Sequence, residues 1–226
     1  MRKKLVSSFN KFFFANVCFF DAYPPQSGSG VVCWDFFQSI PSTKKRFFQL
    51  SIKKKSSNKY IKTINLFKNK PFFKIISLPK LIFSIIKFFD QKKNKILIIE
   101  GPSWAFYSFS LIIFFKIFMR DVKIIYRSHS IEYEIRKKNS NFLISILTKY
   151  FEKNIYKYSN IATSVSKLEQ NKIKAYYDVK PIIFPNSILF DKLKKLKEKK
   201  IKNLPKNLFF FVVRTSIVPI NKQLTL

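Results

Sequence analysis

The 226-residue chain has three glycines, two cysteines and one histidine, and acidic residues number 12. So little glycine excludes collagen-like and glycine-rich low-complexity structure. Two cysteines, Cys18 and Cys33, read as having neither CxxC spacing nor His partners. That rules out a disulfide scaffold and a sequence-local zinc motif, and both thiols are expected to be buried and reduced. A single histidine, His129, excludes any chemistry that needs two imidazoles.

What is abundant is equally informative. Hydrophobic residues make up 47% and aromatics 18%, enough for a sizeable core and too many for global disorder. Lys+Arg reaches 44, for a net charge of +32. The lysines are spread along the chain together with many Phe, Ile and Asn, the residue set of A+T-rich codons. Part of the charge therefore reflects codon composition. The remainder favours anionic partners such as nucleotide phosphates or acidic lipid headgroups. No RNP-like, zinc-finger or helix-turn-helix pattern accompanies it, so no specific nucleic-acid partner is expected. The opening MRKKLVSSFN has a basic head, but Asn10 and Lys11 interrupt the apolar run, which reads as a first strand rather than a cleaved signal.

Strand and helix patterns alternate. Strands are expected at 16–20, 46–52, near INLF after an ambiguous stretch, at 95–100, 122–127, 160–164 and 179–184. Helices are expected at 29–39 with Trp34 and Phe37 on one face, from Pro79 onward, and at 103–119, 142–158 and 166–177. Residues 53–59 form a polar break. The alternation predicts an α/β, Rossmann-like parallel sheet with helices on both faces, whose ligands gather at the carboxyl ends of the strands. The apolar segment 104–119 is too short to span a membrane comfortably and reads as a buried helix. Phe- and Lys-rich segments such as 71–93 suit contact with anionic lipid.

All three glycines follow expected strands. Gly28 and Gly30 precede a helix, where free N–H groups favour an anion and glycine permits positive φ. A dinucleotide fingerprint is not met: GSG lacks its third glycine, and the next strand ends in SIKKK rather than an acidic residue. Gly101 lies in EGPSW, where Ser103 is expected to cap the next helix. His129 follows a strand. Glu132 and Glu134 fall in the first turn of a helix, suited to its dipole or to acid–base work, with Arg127 able to pair with either. Ser164 and Ser166 suit helix capping, and Asn186 a turn.

Four stretches carry a resemblance: NVCFFDAYPPQSGSGVVCWDFF, VKIIYRSHSIEYE, NIATSVSKLEQNKI and IIFPNSI. In this order, over residues 16–190, they resemble the first domain of family 4 glycosyltransferases, enzymes of the two-domain GT-B fold. The resemblance implies a subfamily 4-like N-terminal domain at 1–190, a Lys-rich linker at 191–207 and a stub of the donor-binding domain at 208–226. It departs from the family at Ser187, Val213 and Arg214, where glycine or a glycine-containing turn is usual.

The implied activity is hexosyl transfer, retaining at the anomeric carbon, from a nucleotide sugar to a glycan or lipid-linked acceptor in polysaccharide synthesis. His129 takes the place of the histidine that approaches the transferred sugar. Gly28, Gly30, Ser103, Glu132, Ser166 and Asn186 are the candidate substrate contacts. No cofactor or metal is implied, the nucleotide sugar being a substrate. Catalysis needs groups from both sides of the interdomain cleft, so the chain alone is expected to be weakly active or inactive. The implied location is cytoplasmic, with peripheral contact at the inner membrane face. The competing reading is a noncatalytic basic module on anionic membrane or nucleic acid.

Overall fold

The computed structural model describes residues 10–52, 58–101 and 103–186. The opening residues 1–9, most of the 53–59 break, Ser187, the linker and the stub lie outside the described residues.

Thirteen elements alternate along the described chain. In order they are β1 (Phe13–Cys18), α1 (Gly28–Ser39), β2 (Lys45–Ser51), β3 (Ile61–Asn65), α2 (Pro71–Phe89), β4 (Lys95–Glu100) and α3 (Ala105–Phe118). There follow β5 (Lys123–Arg127), α4 (Glu132–Asn139), α5 (Phe142–Tyr158), β6 (Ile161–Ser164), α6 (Lys167–Tyr177) and β7 (Ile182–Ile183). The strands form one seven-stranded sheet, ordered β3-β2-β1-β4-β5-β6-β7, and every pair is parallel. The order reverses between β1 and β4, and a crevice at the strands' carboxyl ends opens at such a switch point.

β-Branched, apolar central strands explain the sheet. The β4 run KILIIE is buried from Leu97 to Glu100, as a parallel strand covered on both faces requires. One core lies around Val17, Phe48, Leu81, Ile99, Leu111 and Ile124; the other, smaller, packs Trp34, Phe37 and Phe47 under α1. α1 puts both Trp34 and Phe37 inside, as its spacing predicts.

α2 begins at Pro71, not at Pro79. Pro71 occupies the first turn, where a missing N–H costs nothing. Pro79 falls inside the helix, and its exposed position lets water satisfy the carbonyl one turn back. The first strand also starts earlier than expected, at Phe13, and the last shrinks to two exposed residues. α3 is buried along Tyr107, Leu111, Ile112 and Phe115, which agrees with its reading as an interior helix. Among the described residues no helix is long and apolar enough to cross a membrane.

Candidate functional site

The site is assembled at the switch point. β4 ends in Glu100, whose side chain is fully buried. β1 brings Asn16 beside it, and Asn16 Nδ2 donates to Glu100 Oε1 at 2.9 Å. From the end of β5, Arg127 Nη1 donates to both carboxylate oxygens at 2.7 and 2.9 Å. Two residues on, His129 Nε2 lies 2.7 Å from Glu100 Oε2. α1 closes the cluster: Cys33 Sγ lies 3.6 Å from Glu100 Oε2 and 3.9 Å from His129 Nε2. Phe36, also on α1, stacks on the Arg127 guanidinium at 3.6 Å.

Burial alone would raise the Glu100 carboxyl. The Arg127 guanidinium and the His129 bond overcome it and hold the carboxyl at about 2. The same contest runs in reverse for His129. Burial favours neutral imidazole, but the bonds to Cys33 and Glu100 and the Glu100 charge push it up to about 9. The Cys33 thiol is driven well above its usual range, mainly by burial. At neutral pH the cluster is thus an anion between two cations, with a net charge of about +1. Protonated His129 spends Nε2–H on Glu100. His129 is also one of the residues lining a cleft of about 410 Å³.

Cys33, Glu100 and His129 present ligand-type atoms within 4.8 Å of one another. A cation there would have to open the 2.7 Å ion pair and sit beside Arg127. The arrangement is that of a buried ion pair, and the chemistry it offers is hydrogen-bond donation and positive charge at the cleft.

The other candidate residues scatter. Ser166 lines the same cleft as His129, while its Oγ caps α6 by accepting from Glu169 N at 3.1 Å. Ser27 caps α1 in the same way through Gly30 N, so the Gly30 N–H is engaged. The exposed Gly28 and Ser29 N–H groups have no acceptor within the helix. None of the three glycines has positive φ, contrary to expectation. Gly30 is present for space: a Cβ there would meet Ala22 O at 3.2 Å. At Gly101 a Cβ would lie 2.8 Å from Arg127 O and from the Tyr126 hydroxyl.

Glu132 is buried, and it supplies the cap expected of Ser103 by accepting from Ala105 N and from Arg136. Its carboxyl is pushed up to about 7, chiefly by burial. Ser103 caps nothing and lines a separate pocket. Asn186 is exposed beyond β7. Arg127 pairs with Glu100 and with neither Glu132 nor Glu134. Cys33, read as lacking a histidine partner, has one in His129.

Glu100, Asn16 and the pairing of Arg127 are invisible in local sequence. The one available signal is an acid ending the apolar run ILII of the central strand, since a carboxylate buried there calls for a compensating partner.

A fold of this kind occurs in a known enzyme. Sucrose-phosphate synthase from Thermosynechococcus elongatus superimposes with a TM-score of 0.55 at 11% identity, over 86% of this chain and 53% of that one. The chain thus spans about half the length of that enzyme. No protein-family model matches the sequence. No curated protein matches it either. The α/β, Rossmann-like sheet with helices on both faces corresponds to one half of a GT-B glycosyltransferase fold.

Proposed function

We propose that this chain is the acceptor-side half of a glycosyltransferase of the family 4 type. It would act on a nucleotide-sugar donor and a glycan or lipid-linked acceptor, with retention at the anomeric carbon and without metal or cofactor. The observation that carries the reading is His129 at the switch point, kept protonated by Glu100 and lining the cleft. A fixed cationic donor at the carboxyl ends of a parallel sheet is suited to a sugar hydroxyl or to charge developing as a nucleotide leaves. The exposed Gly28 and Ser29 N–H groups, at the mouth of α1, suit a phosphate or sugar oxygen.

The location proposed is cytoplasmic, at an anionic membrane face. Phe72 and Phe83 on α2 are 64% and 67% exposed among lysines, a composition that settles on acidic lipid.

Because His129 is the single histidine, its ring signals report the site without ambiguity. Nucleotide sugars at millimolar concentration are expected to shift them at physiological salt, and RNA is expected to bind only weakly, with its binding collapsing as salt rises. Unshifted signals with every nucleotide sugar tried, together with RNA binding that survives high salt, would reverse the assignment in favour of a basic binding module.

A further inference from the structure

Helix α5 is inside out over its first half. Its buried positions there are Ser145, Thr148 and Glu152, while Phe142, Leu143 and Ile146 are 81%, 64% and 46% exposed. The inward polar groups are engaged: Thr148 Oγ1 donates to Ile144 O at 2.8 Å, and Glu152 accepts from the first N–H groups of α4. A surface helix in water normally turns its apolar stripe inward. Here the apolar side chains are on the outer face, a surface that calls for a partner.

The preceding helix supplies the charge. α4 buries Glu132 alone and ends in Arg136, Lys137 and Lys138. From residue 135 to residue 151 the chain has four cations, Arg136, Lys137, Lys138 and Lys149, and no acid. Arg136 is paired with Glu132, whereas the three lysines are exposed.

Topology places this element. α3 and α5 each return from the carboxyl end of one strand to the start of the next parallel strand, so they run the same way. Tyr150, in the middle of α5, packs on Phe109, near the start of α3, with ring centroids 6.2 Å apart. The first turns of α5 therefore project past the start of α3, at the end of the sheet where the His129 cleft opens. Ile135 and Lys138 of α4 are part of the lining of that cleft.

The charge pattern decides the occupant. A second copy of this chain seated on the face would set lysine against lysine with no carboxylate between them. An anionic bilayer suits both halves of the surface, since acyl chains take the aromatic and aliphatic groups and headgroup phosphates take the lysines. We propose that the α4–α5 hairpin docks on an anionic lipid bilayer, with Phe142, Leu143 and Ile146 at the acyl boundary and Lys137, Lys138 and Lys149 among the headgroups. This rests on the membrane location proposed above and gives it an anchor other than α2, one that holds the cleft at the bilayer surface.

The test is sedimentation of the full chain with vesicles of phosphatidylcholine, with and without phosphatidylglycerol, at physiological salt. Binding is expected only with phosphatidylglycerol. Phe142→Ser with Leu143→Ser is expected to weaken it at least tenfold. Ile117→Ser with Phe118→Ser, an exposed apolar pair at the far end of α3, is expected to change it less than twofold. Lys137→Gln with Lys138→Gln is expected to weaken it severalfold, and this pair decides the matter if the serine pair lowers the thermal midpoint. No phosphatidylglycerol-dependent binding, or equal losses from the α5 and α3 pairs, would overturn the proposal. So would a concentration-dependent dimer in sedimentation velocity that the α5 pair abolishes, which assigns the face to a second copy. Loss of vesicle binding with Phe72→Ser and Phe83→Ser alone would keep the membrane location and overturn the hairpin as its anchor.

Discussion

Two glutamates in this fold are equally inaccessible and serve opposite purposes. Glu100 and Glu152 each have no exposed surface. Glu100 is surrounded by Asn16, Arg127 and His129, and is held ionised far below the usual carboxylate range. Glu152, on α5, meets no cation among the described residues. It accepts from the backbone N–H groups of Glu132 and Tyr133 at 2.8 Å each and from the Tyr177 hydroxyl at 2.6 Å, and burial raises it. The difference lies in the partners. Cations make Glu100 a fixed charge that keeps a histidine protonated at a cleft. Backbone donors make Glu152 a clamp that caps α4 and ties it to α5 and α6.

Breaking the charged pair should have the largest effect. Arg127→Met leaves the Glu100 carboxylate buried without its main partner and is expected to cost about 3–5 kcal/mol in urea unfolding. Glu152→Gln keeps one acceptor oxygen but turns an amide toward backbone donors, so a smaller loss of about 1–3 kcal/mol is expected. The pH dependence of that second loss sharpens the contrast. The folded-state pKa of Glu152 is raised, so its ionised form is a burden that grows as pH rises above the normal carboxylate range. The gap between wild type and Glu152→Gln should therefore narrow with rising pH.

Glu100 and His129 behave otherwise. The Glu100 contribution is present above the unfolded carboxylate pKa and lost as pH falls through about 2. The His129 contribution is complete below the unfolded imidazole pKa of about 6.5 and lost as pH rises through about 9. His129→Gln should flatten the alkaline limb of the stability profile and move the acid limb to higher pH, because the His129 bond also holds the Glu100 carboxyl down.

The glycines give the smallest effects and separate packing from placement. Gly101→Ala drives a Cβ to 2.8 Å from Arg127 O, behind the charged cluster, and should cost about 1–3 kcal/mol by thermal unfolding. At Gly28 a Cβ meets nothing within 4 Å, so Gly28→Ala should be neutral or stabilising by up to about 1 kcal/mol. A large loss at Gly28 would show that the mouth of α1 is packed rather than open to ligand.

The sheet was legible because its strands carry their own signal. KILIIE reads as a strand at 95–100 and is one, and the 142–158 helix matches α5 residue for residue. Boundaries failed where two residues of one kind competed, as with Pro71 and Pro79. His129 could be singled out by its place after a strand. The partners that set its charge could not, because Glu100 is 29 residues away and Cys33 is 96. Only the parallel register of β1, β4 and β5 brings them together. Glu132 misled for a related reason. Its first-turn position is real, yet its carboxylate caps the N-terminus of a different helix, α3.

The measurement that bears most directly on this account is the titration of His129 by nuclear magnetic resonance in the intact chain, where no other histidine contributes a signal. The account predicts a pKa of about 9, with both ring nitrogens protonated at neutral pH. A midpoint near the ordinary value of about 6.5, unchanged by Glu100→Gln, would contradict it.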